Sequence, residues 1–278
     1  MCTVSWLRTS DGYHLLCNRD ERRARQRALP PFLQHRRRVR CISPKDVDGG
    51  GSWIAVNEAG LTFCLLNRYA CGECCGQTKT DYRSRGLLLM ELVDCQSVAE
   101  VQTRISRFNL EEFQPFTLVV LSPVKPALLC SWESHNLLLE CNGDGAVPLV
   151  SSSLDQKGVE ACRKRFFQKF LAERRNPDAQ ALFDFHTSHL PVSSAYSPCM
   201  HRGDACTVSF SWITVAKDII RFCYLPGAPC GYESLLRRNL DLGHFREVQL
   251  DRLERHRDSS GPSAPMALVM GATNTGGH

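Results

Sequence analysis

The sequence predicts an α+β fold, a four-layer αββα sandwich in which two antiparallel β-sheets are flanked by helices. Three observations predict this architecture. Two hairpin patterns lie within the first 67 residues, three apolar strand patterns follow one another between residues 116 and 141, and a last strand pair begins near residue 205. Strand patterns joined by short turns favour antiparallel pairing over β-α-β units.

The two N-terminal hairpins are defined by their turns. The first joins CTVSWLR to YHLLCNR through the sequence SDG, and the second joins WIAV to LTFCLLN through residues 57–60. Gly, Asn and Asp favour such turns because they tolerate the backbone angles required there. The basic segment between the hairpins contains Pro30 and Pro31 and is predicted to be a loop.

Helical patterns alternate with the remaining strands. The helical patterns at residues 87–93 and 179–185 are short, and the longer one at residues 158–175 has apolar side chains at three- and four-residue spacings. Ser97 and Glu100 have the spacing of a capping box, in which the hydroxyl and the carboxylate complete the first helical turn. The other strand patterns are FTLVVLS, ALLCSW, NLLLEC, VPLVSSS, CTVSFSWITV and DIIRFCYLP.

The domain organisation follows from where these patterns end. Residues 1–234 are predicted to form one domain, and residues 235–278 are predicted to be a C-terminal extension. The segment LLRRNLDLGHFREVQLDRLERH is interpreted as a terminal helix. The Gly-, Ser- and Pro-rich tail after it is predicted to be disordered.

The composition is typical of a globular protein, with 43% hydrophobic residues, 23% charged residues and a net charge of +5. A nucleic-acid-binding protein would carry a stronger basic excess on one element, so a nucleic-acid partner is not expected. No apolar run approaches the ~20 residues that span a bilayer, and a signal-peptide pattern is lacking. We therefore expect a cytoplasmic protein with a small-molecule partner; the sequence does not indicate its oligomeric state.

The chain contains 15 cysteines, an odd number that is more typical of reduced thiols than of a disulfide framework. Cys71, Cys74 and Cys75 include a Cys-x-x-Cys spacing, for which Cys199 and His201 are the obvious additional ligands. Such spacing occurs in zinc sites and in loops with reactive thiols. The second interpretation is favoured, and neither a metal nor a cofactor such as haem is assigned.

Cys2 is the strongest candidate for a reactive residue. If Met1 is removed, the mature chain begins with a thiol and an α-amine on one residue. An α-amine has a pKa of about 7.7–8.0 and is able to accept the thiol proton near neutral pH. Many proteins carry cysteine at this position without any catalytic role, so Cys2 alone does not establish a function.

A polar cluster near the end of the second strand strengthens the hypothesis that Cys2 is reactive. Asn18, Arg19 and Asp20 return towards Cys2 if the first hairpin forms as predicted. Arg19 is then suited to hold a thiolate and Asp20 to hold the α-amine, each through a charge-assisted hydrogen bond. The alternative is a solvated run of charges that continues through residues 22–27.

Further candidates follow the glycine-rich stretch at residues 49–51. Trp53, Asn57 and Arg68 are candidate substrate-binding residues, and Asn67 ends a strand predicted to lie beside the first hairpin in a simple meander. An amide at such a strand end is suited to bind a developing oxyanion.

Taken together, MCT, NRDE, GGSW and VNEAGL…LLN resemble the NRDE family, also called the transport and Golgi organisation protein 2 family. The first 67 residues also resemble, more distantly, the cysteine N-terminal-nucleophile (Ntn) hydrolases that include bile salt hydrolase and penicillin V acylase. The resemblance implies an Ntn-hydrolase fold with Cys2 as nucleophile, Arg19 and Asp20 assisting it, and Asn67 in the oxyanion site.

One departure concerns the second oxyanion residue. In the acylases an asparagine precedes the long central helix, whereas this chain has serines there, with Ser151 and Ser152 as candidates. A serine hydroxyl donates one hydrogen bond with a shorter reach than an amide. The sequence therefore leaves two interpretations open, an amidohydrolase or acyl-transfer enzyme and a non-catalytic protein that binds or transports a hydrophobic anion such as haem or an acyl thioester.

The last candidates are weaker. Arg202 lies in a polar stretch before the final strand pair, where it would either meet an anionic group of the substrate or lie on a surface loop. His186 and His189 are predicted to cap a helix or to face solvent.

Overall fold

A computed structural model describes residues 2–69, 81–232 and 246–253. Within these residues the chain forms 13 strands and four α-helices. The strands are β1 (Cys2–Arg8), β2 (Tyr13–Arg22), β3 (Leu29–Arg36), β4 (Val39–Lys45), β5 (Ile54–Asn57), β6 (Thr62–Asn67), β7 (Phe116–Leu121), β8 (Leu128–Glu133), β9 (Asn136–Glu140), β10 (Leu149–Ser151), β11 (Ala205–Val215), β12 (Ile219–Leu225) and β13 (Arg246–Asp251). The helices are α1 (Arg85–Leu92), α2 (Val98–Ile105), α3 (Gln156–Ala172) and α4 (Ala179–Thr187).

The strands form two antiparallel sheets. The first sheet has the order β10-β1-β2-β11-β12-β13, and the second has the order β3-β4-β5-β6-β7-β8-β9. The first hairpin forms as predicted, with Cys2 opposite Arg19 and Arg8 opposite Tyr13. The serine half of the capping box is also present, since the Ser97 hydroxyl accepts a hydrogen bond from the Glu100 amide at 3.1 Å, whereas the Glu100 carboxylate accepts from the Gln96 amide at 2.8 Å.

Side-chain alternation along the strands accounts for the three largest of the four hydrophobic clusters among the described residues. Val4, Leu15 and Val119 belong to the core between the sheets, because alternate residues of a strand point to opposite faces. The second sheet packs its other face on α1 and α2, and the first sheet packs Leu16 and Phe210 on α3 and α4. The layers therefore follow the order helices, sheet, sheet, helices, and the predicted αββα architecture is confirmed.

The basic segment between the first two hairpins differs from its prediction. It forms the hairpin β3–β4 rather than a loop. β3 is an edge strand, where a proline that lacks the amide hydrogen is tolerated, and its pairing is irregular between Leu29 and Phe32, around Pro30 and Pro31. The turn places Arg37 at a φ of 47°.

The position of Asn67 also differs from the meander that the sequence predicts. β6 lies between β5 and β7 in the second sheet, whereas the first hairpin belongs to the first sheet. The strand that ends at Asn67 therefore faces the strand of Cys2 across the central core instead of pairing with it edge to edge.

The C-terminal segment contains a strand where a helix was predicted. Arg246–Asp251 forms β13, which pairs with β12 and buries Leu250. Residues 235–245 and 254–278 of the predicted extension, and Cys71, Cys74 and Cys75, lie outside the described residues. No described helix is long and apolar enough to cross a membrane.

Candidate active site

Cys2 lies in a row of buried side chains that crosses three adjacent strands. It pairs with Ser151 on β10 and with Arg19 on β2. Residues directly opposite each other in an antiparallel sheet project to the same face. Because Cys2 belongs to the core between the sheets, this row faces the second sheet. The predicted proximity of Cys2 and Arg19 therefore follows directly from the register of the hairpin.

A cleft of about 690 Å³ opens beside this row. Cys2, Arg19, Trp53 and Asn67 all contribute to its lining, so that four of the residues predicted from the sequence meet in one place. Trp53 comes from the segment before β5, and Asn67 ends β6. The cleft is thus formed where the ends of strands from both sheets come together.

Arg19 is held firmly at the wall of the cleft. Only 4% of the residue is exposed, its guanidinium lies 4.2 Å from the centre of the Trp53 ring, and Nη2 lies 3.4 Å from Oδ2 of Asp46. The aromatic face and the carboxylate both stabilise the cation. The indole Nε1 of Trp53 is buried and has no hydrogen-bond partner among the described residues.

The environment of Cys2 favours the protonated thiol. A hydrogen bond with Cys17 and burial raise the pKa of Cys2 well above its ordinary value, and the positive charge of the chain terminus acts in the opposite direction. A thiol must lose its proton before it reacts as a nucleophile. The surroundings of Cys2 therefore make a nearby base necessary for any nucleophilic role.

Asp20 lies on the opposite face of β2 from Arg19. Its Oδ1 accepts a hydrogen bond from the Thr207 hydroxyl at 2.7 Å, and its Oδ2 lies 3.2 Å from Nη1 of Arg163. The same Nη1 donates to the Thr3 hydroxyl, and Nη2 donates to the Ala195 carbonyl at 2.9 Å. The carboxylate is fully buried, but its negative charge still acts on the Cys2 thiol and raises the pKa of that group, after the larger effects of Cys17 and burial.

Asn18 and His186 belong to the same buried layer behind the sheet. The Asn18 amide donates to the carbonyls of His186 and Pro198, both at 2.9 Å, so Asn18 braces the loop after α4 rather than lining the cleft. His186 is fully buried, and its Nε2 lies 2.8 Å from the Ser5 hydroxyl. The expectation that His186 caps a helix or faces solvent was therefore wrong.

Asn67 also borders a smaller cavity of about 160 Å³ that Arg68 lines. The Asn67 amide donates to the Tyr69 hydroxyl at 3.2 Å. Arg68 forms an ion pair with Glu133 at 2.5 Å and donates to the Thr117 hydroxyl at 3.3 Å. Arg68 is thus directed away from the Cys2 cleft.

Three other predicted residues have local structural roles. Asn57 closes the β5–β6 turn by accepting from the Leu61 amide, and its own amide donates to the carbonyls of Val93 and Cys95. Ser152 accepts from the Leu154 amide ahead of α3, and Arg202 forms an ion pair with Asp204. None of the three is among the described residues that line the Cys2 cleft.

Four arginines were missed in the sequence: Arg25, Arg83 and Arg85 line the cleft, and Arg163 pairs with Asp20 behind it. Arg163 lies four residues after Val159 and four before Phe167, both on the buried face of α3, and this helical spacing was the signal. Arg85 opens α1 and lines the cleft, where its pKa is lowered by burial. Its Nη1 donates to the Pro115 carbonyl at 2.8 Å.

The glycine-rich stretch explains how α1 comes so close to Trp53. The Ser52 amide donates to the Gly86 carbonyl at 3.2 Å. A Cβ on Gly51 would lie 2.1 Å from the Gly86 carbonyl carbon, so a larger residue would push the two backbones apart. Gly51 therefore allows the first turn of α1, with Arg85, to form one wall of the cleft.

Comparison with known proteins gives the fold a family context. The profile of the family described as Transport and Golgi organisation 2 matches residues 1–202. No curated protein matches the sequence. Penicillin V acylase from Agrobacterium tumefaciens superposes with a TM-score of 0.51 at 11% identity, over 81% of this chain and 83% of the acylase. An N-acylethanolamine-hydrolyzing acid amidase ortholog from Caenorhabditis elegans superposes with a TM-score of 0.51 at 14% identity, over 90% of this chain and 99% of the amidase. These similarities identify the fold as that of the Ntn hydrolases.

Proposed function

The chain belongs to the Transport and Golgi organisation 2 family, and we propose that it is an N-terminal cysteine hydrolase or acyl-transfer enzyme for a small acylated or amide-bearing molecule. The observation that carries the proposal is the buried row of Ser151, Cys2 and Arg19 beside a cleft that also contains Asn67. The proposal requires that Met1 be removed, because the α-amine of Cys2 is the base.

The raised pKa of the Cys2 thiol calls for a base, and the α-amine of the same residue is that base. It takes the thiol proton, and the thiolate attacks the substrate carbonyl carbon, whose oxygen becomes an oxyanion. The tetrahedral intermediate collapses, the bond to the leaving group breaks, and the ammonium returns the proton to that group. Water or another acceptor then cleaves the thioester, which releases the acyl product and restores the thiol.

The neighbours of Cys2 are suited to the charges of this reaction. Arg19 lies opposite Cys2 and carries a positive charge beside the thiolate. Asp20, on the other face of β2 and paired with Arg163, is proposed to help stabilise the ammonium through its negative charge. The Ser151 hydroxyl is buried and has no partner among the described residues, so it is available to donate to an oxyanion. Asn67 offers an amide from the facing sheet, in exchange for its present hydrogen bond to Tyr69.

The charges along the cleft indicate a substrate with an anionic group. Asp46 pairs with Arg25 at 2.5 Å, and Arg83 pairs with Glu91 and Glu112 at 2.8 and 2.9 Å. Among the described residues no carboxylate forms an ion pair with Arg85, which donates to a neutral carbonyl, although the charge of Glu21 in the same cleft acts on it from a longer distance. Arg85 also belongs to the first turn of α1, the positive end of the helix dipole. We therefore assign Arg85 to the anionic group of the substrate.

The test uses chromogenic acyl esters and aminocoumarin amides, each with and without a terminal carboxylate. We expect turnover by the processed protein, and we expect Cys2→Ala to reduce it to the uncatalysed rate. Cys141→Ala is the matched control, because Cys141 is an exposed thiol away from the cleft and its loss leaves the rate unchanged. Arg85→Gln is expected to raise KM for the substrates that carry a carboxylate and to leave KM unchanged for the others.

The covalent intermediate gives a second measurement that does not depend on a natural substrate. Rapid quenching with a reactive ester should add the mass of one acyl group to the peptide that begins at Cys2. A Cys2→Ala protein that retains full turnover, or acylation confined to other cysteines, would contradict the proposed function.

Two observations favour the alternative of a non-catalytic protein that binds a hydrophobic anion such as haem or an acyl thioester. The pKa of Cys2 is raised, and Ser151 provides a single donor where the acylases have an amide. This alternative predicts that haemin or an acyl-coenzyme A raises the melting temperature at saturation. It also predicts that Cys2→Ala preserves the shift and that no product forms. An unchanged melting temperature with both ligands would contradict it.

A further inference from the structure

A second cluster of reactive side chains lies outside the lining of the Cys2 cleft. It consists of His189, Cys199, His201 and Cys230, whose ligand atoms all lie within 4.8 Å of one another. Cys199 is buried, His201 and Cys230 are half-buried, and His189 is exposed. The cluster therefore sits at the boundary between the protein interior and solvent, where an ion is able to enter.

The internal contacts of the cluster are short. Nε2 of His201 lies 3.5 Å from the Cys199 sulfur and 3.3 Å from the Cys230 sulfur. The rings of His189 and His201 are edge to face, with centroids 5.0 Å apart. Ligand atoms at zinc distances of about 2.0–2.3 Å are roughly 3.3–3.8 Å from one another in a tetrahedron. The cluster needs to contract only slightly to reach this geometry.

The backbone around the cluster holds the ligands in place. His189 follows α4, Cys199 and His201 precede β11, and Cys230 lies in a short 3-10 turn after β12. The Cys199 amide donates to the Ser188 carbonyl at 3.0 Å, which joins the first two segments. His201 pairs with Cys206 in an isolated β-bridge at the start of the final strand pair.

We propose that His189, Cys199, His201 and Cys230 form a structural Zn²⁺ site. Two thiolates and two imidazoles are a donor set that zinc occupies in structural sites, and four protein ligands leave no position for a substrate or a reactive water. Thiolate ligands select zinc over magnesium or calcium, which prefer oxygen. Zinc binds the thiolate form of cysteine, so binding releases any proton that a ligand thiol still holds.

Zinc at this site would be linked to Asp20, on the far face of β2, through a short chain of hydrogen bonds. The Met200 amide, between two of the ligands, donates to the Thr207 hydroxyl at 2.8 Å, and that hydroxyl donates to Asp20 at 2.7 Å. His201 and Arg19 also line one cavity of about 410 Å³. Zinc would therefore stabilise the loop that supports the Asp20 carboxylate, whether or not Cys2 is catalytic.

The test is the zinc content of the full chain, purified without chelators and measured by inductively coupled plasma mass spectrometry. We expect about one zinc per chain, and at least a tenfold loss in Cys199→Ser and in Cys230→Ser. Cys206→Ser is the matched control, since Cys206 lies at the start of β11, opposite His201 in the β-bridge, and outside the cluster. A triple variant with serine at Cys71, Cys74 and Cys75 should also retain its zinc.

Replacement by Co²⁺ keeps the proposal testable if the serine variants do not fold. The wild-type chain should show the intense visible bands of tetrahedral cobalt together with thiolate-to-metal charge transfer. A folded full-length chain that takes up neither ion would overturn the proposal. So would zinc retained by both serine variants, or a Cys199–Cys230 disulfide in protein whose thiols were blocked at lysis.

Discussion

Arg163 is a charged residue that is almost completely buried. Only 1% of it is exposed, and its partner Asp20 is fully buried. Moving two charges out of water costs several kcal/mol for each ion, and that cost is offset only when the pair is intact and hydrogen-bonded. The further contacts of Arg163 with Thr3 and Ala195 meet this requirement. The pair therefore fixes the position of Asp20 relative to the strand that carries Cys2.

Replacing Arg163 should be severely destabilising. We expect Arg163→Met to lower the free energy of unfolding by about 3–5 kcal/mol, because Asp20 is left buried without its cation. Chemical denaturation followed by circular dichroism measures the change. Arg165→Met, an exposed position on the same helix, serves as control and should change stability by less than about 0.5 kcal/mol. Equal losses in the two variants would contradict the role of the pair.

His186 provides a second residue with a measurable signature. Burial, together with the positive charge of Arg163, lowers the pKa of His186 to about 3. The imidazole is thus neutral in the folded protein, whereas it takes up a proton in the unfolded chain as the pH falls below about 6.5. The stability that the neutral form provides is complete above this pH and is lost progressively as the pH falls towards 3.

The pH dependence of stability should therefore contain a contribution from His186. We expect the wild-type free energy of unfolding to fall more steeply between pH 6.5 and 4.5 than that of His186→Gln, by up to ~1.4 kcal/mol per pH unit. Urea denaturation at several pH values measures both slopes. His35→Gln changes an exposed histidine on β3 and should keep the wild-type slope. Identical slopes in wild type and His186→Gln would show that this interpretation is wrong.

At the scale of elements, the approach of α1 to the segment before β5 determines the shape of the cleft. Gly51 and Gly86 touch through their backbones, and this contact places Arg85 opposite the strand of Cys2. We expect Gly51→Ala to cost about 1–3 kcal/mol of stability through overpacking. Because α1 is displaced, the same variant should weaken binding of substrates that carry a carboxylate.

Gly145→Ala is the appropriate comparison, because a Cβ there meets no atom within 4 Å. It should change the free energy of unfolding by less than about 1 kcal/mol and leave substrate binding unaltered. Thermal melting of Gly51→Ala, Gly145→Ala and the wild type measures the change in stability. Wild-type stability in Gly51→Ala would mean that α1 is free to adjust and does not shape the cleft.

The elements predicted from the sequence are those with strong local patterns. The first hairpin, the capping box at Ser97 and the long helix α3 were predicted because turn residues, caps and helical spacing are read within a few positions. β3 was missed because an edge strand is largely exposed and accommodates prolines. β13 was missed because a short strand with one buried residue, Leu250, resembles a polar helix.

At the scale of the molecule, contacts between distant segments could not be predicted. Register placed Arg19 beside Cys2, but nothing local indicated that β6 belongs to the other sheet or that Arg163 reaches Asp20. The sequence offered Cys199 and His201 as candidate metal ligands, but their neighbours His189 and Cys230 were missed for the same reason, since the cluster lies in three segments that only the fold brings together. The motif of Cys2 and its neighbours was recognisable because hairpins bring together residues that are close in sequence.

The most direct test of a nucleophilic Cys2 is a brief pulse of a thiol-reactive probe at neutral pH, followed by intact-protein mass spectrometry and peptide mapping. We predict that Met1 is absent and that Cys2 is labelled faster than the exposed Cys141, because the α-amine removes the thiol proton. Retention of Met1, or labelling of Cys141 while Cys2 stays unmodified, would contradict the account.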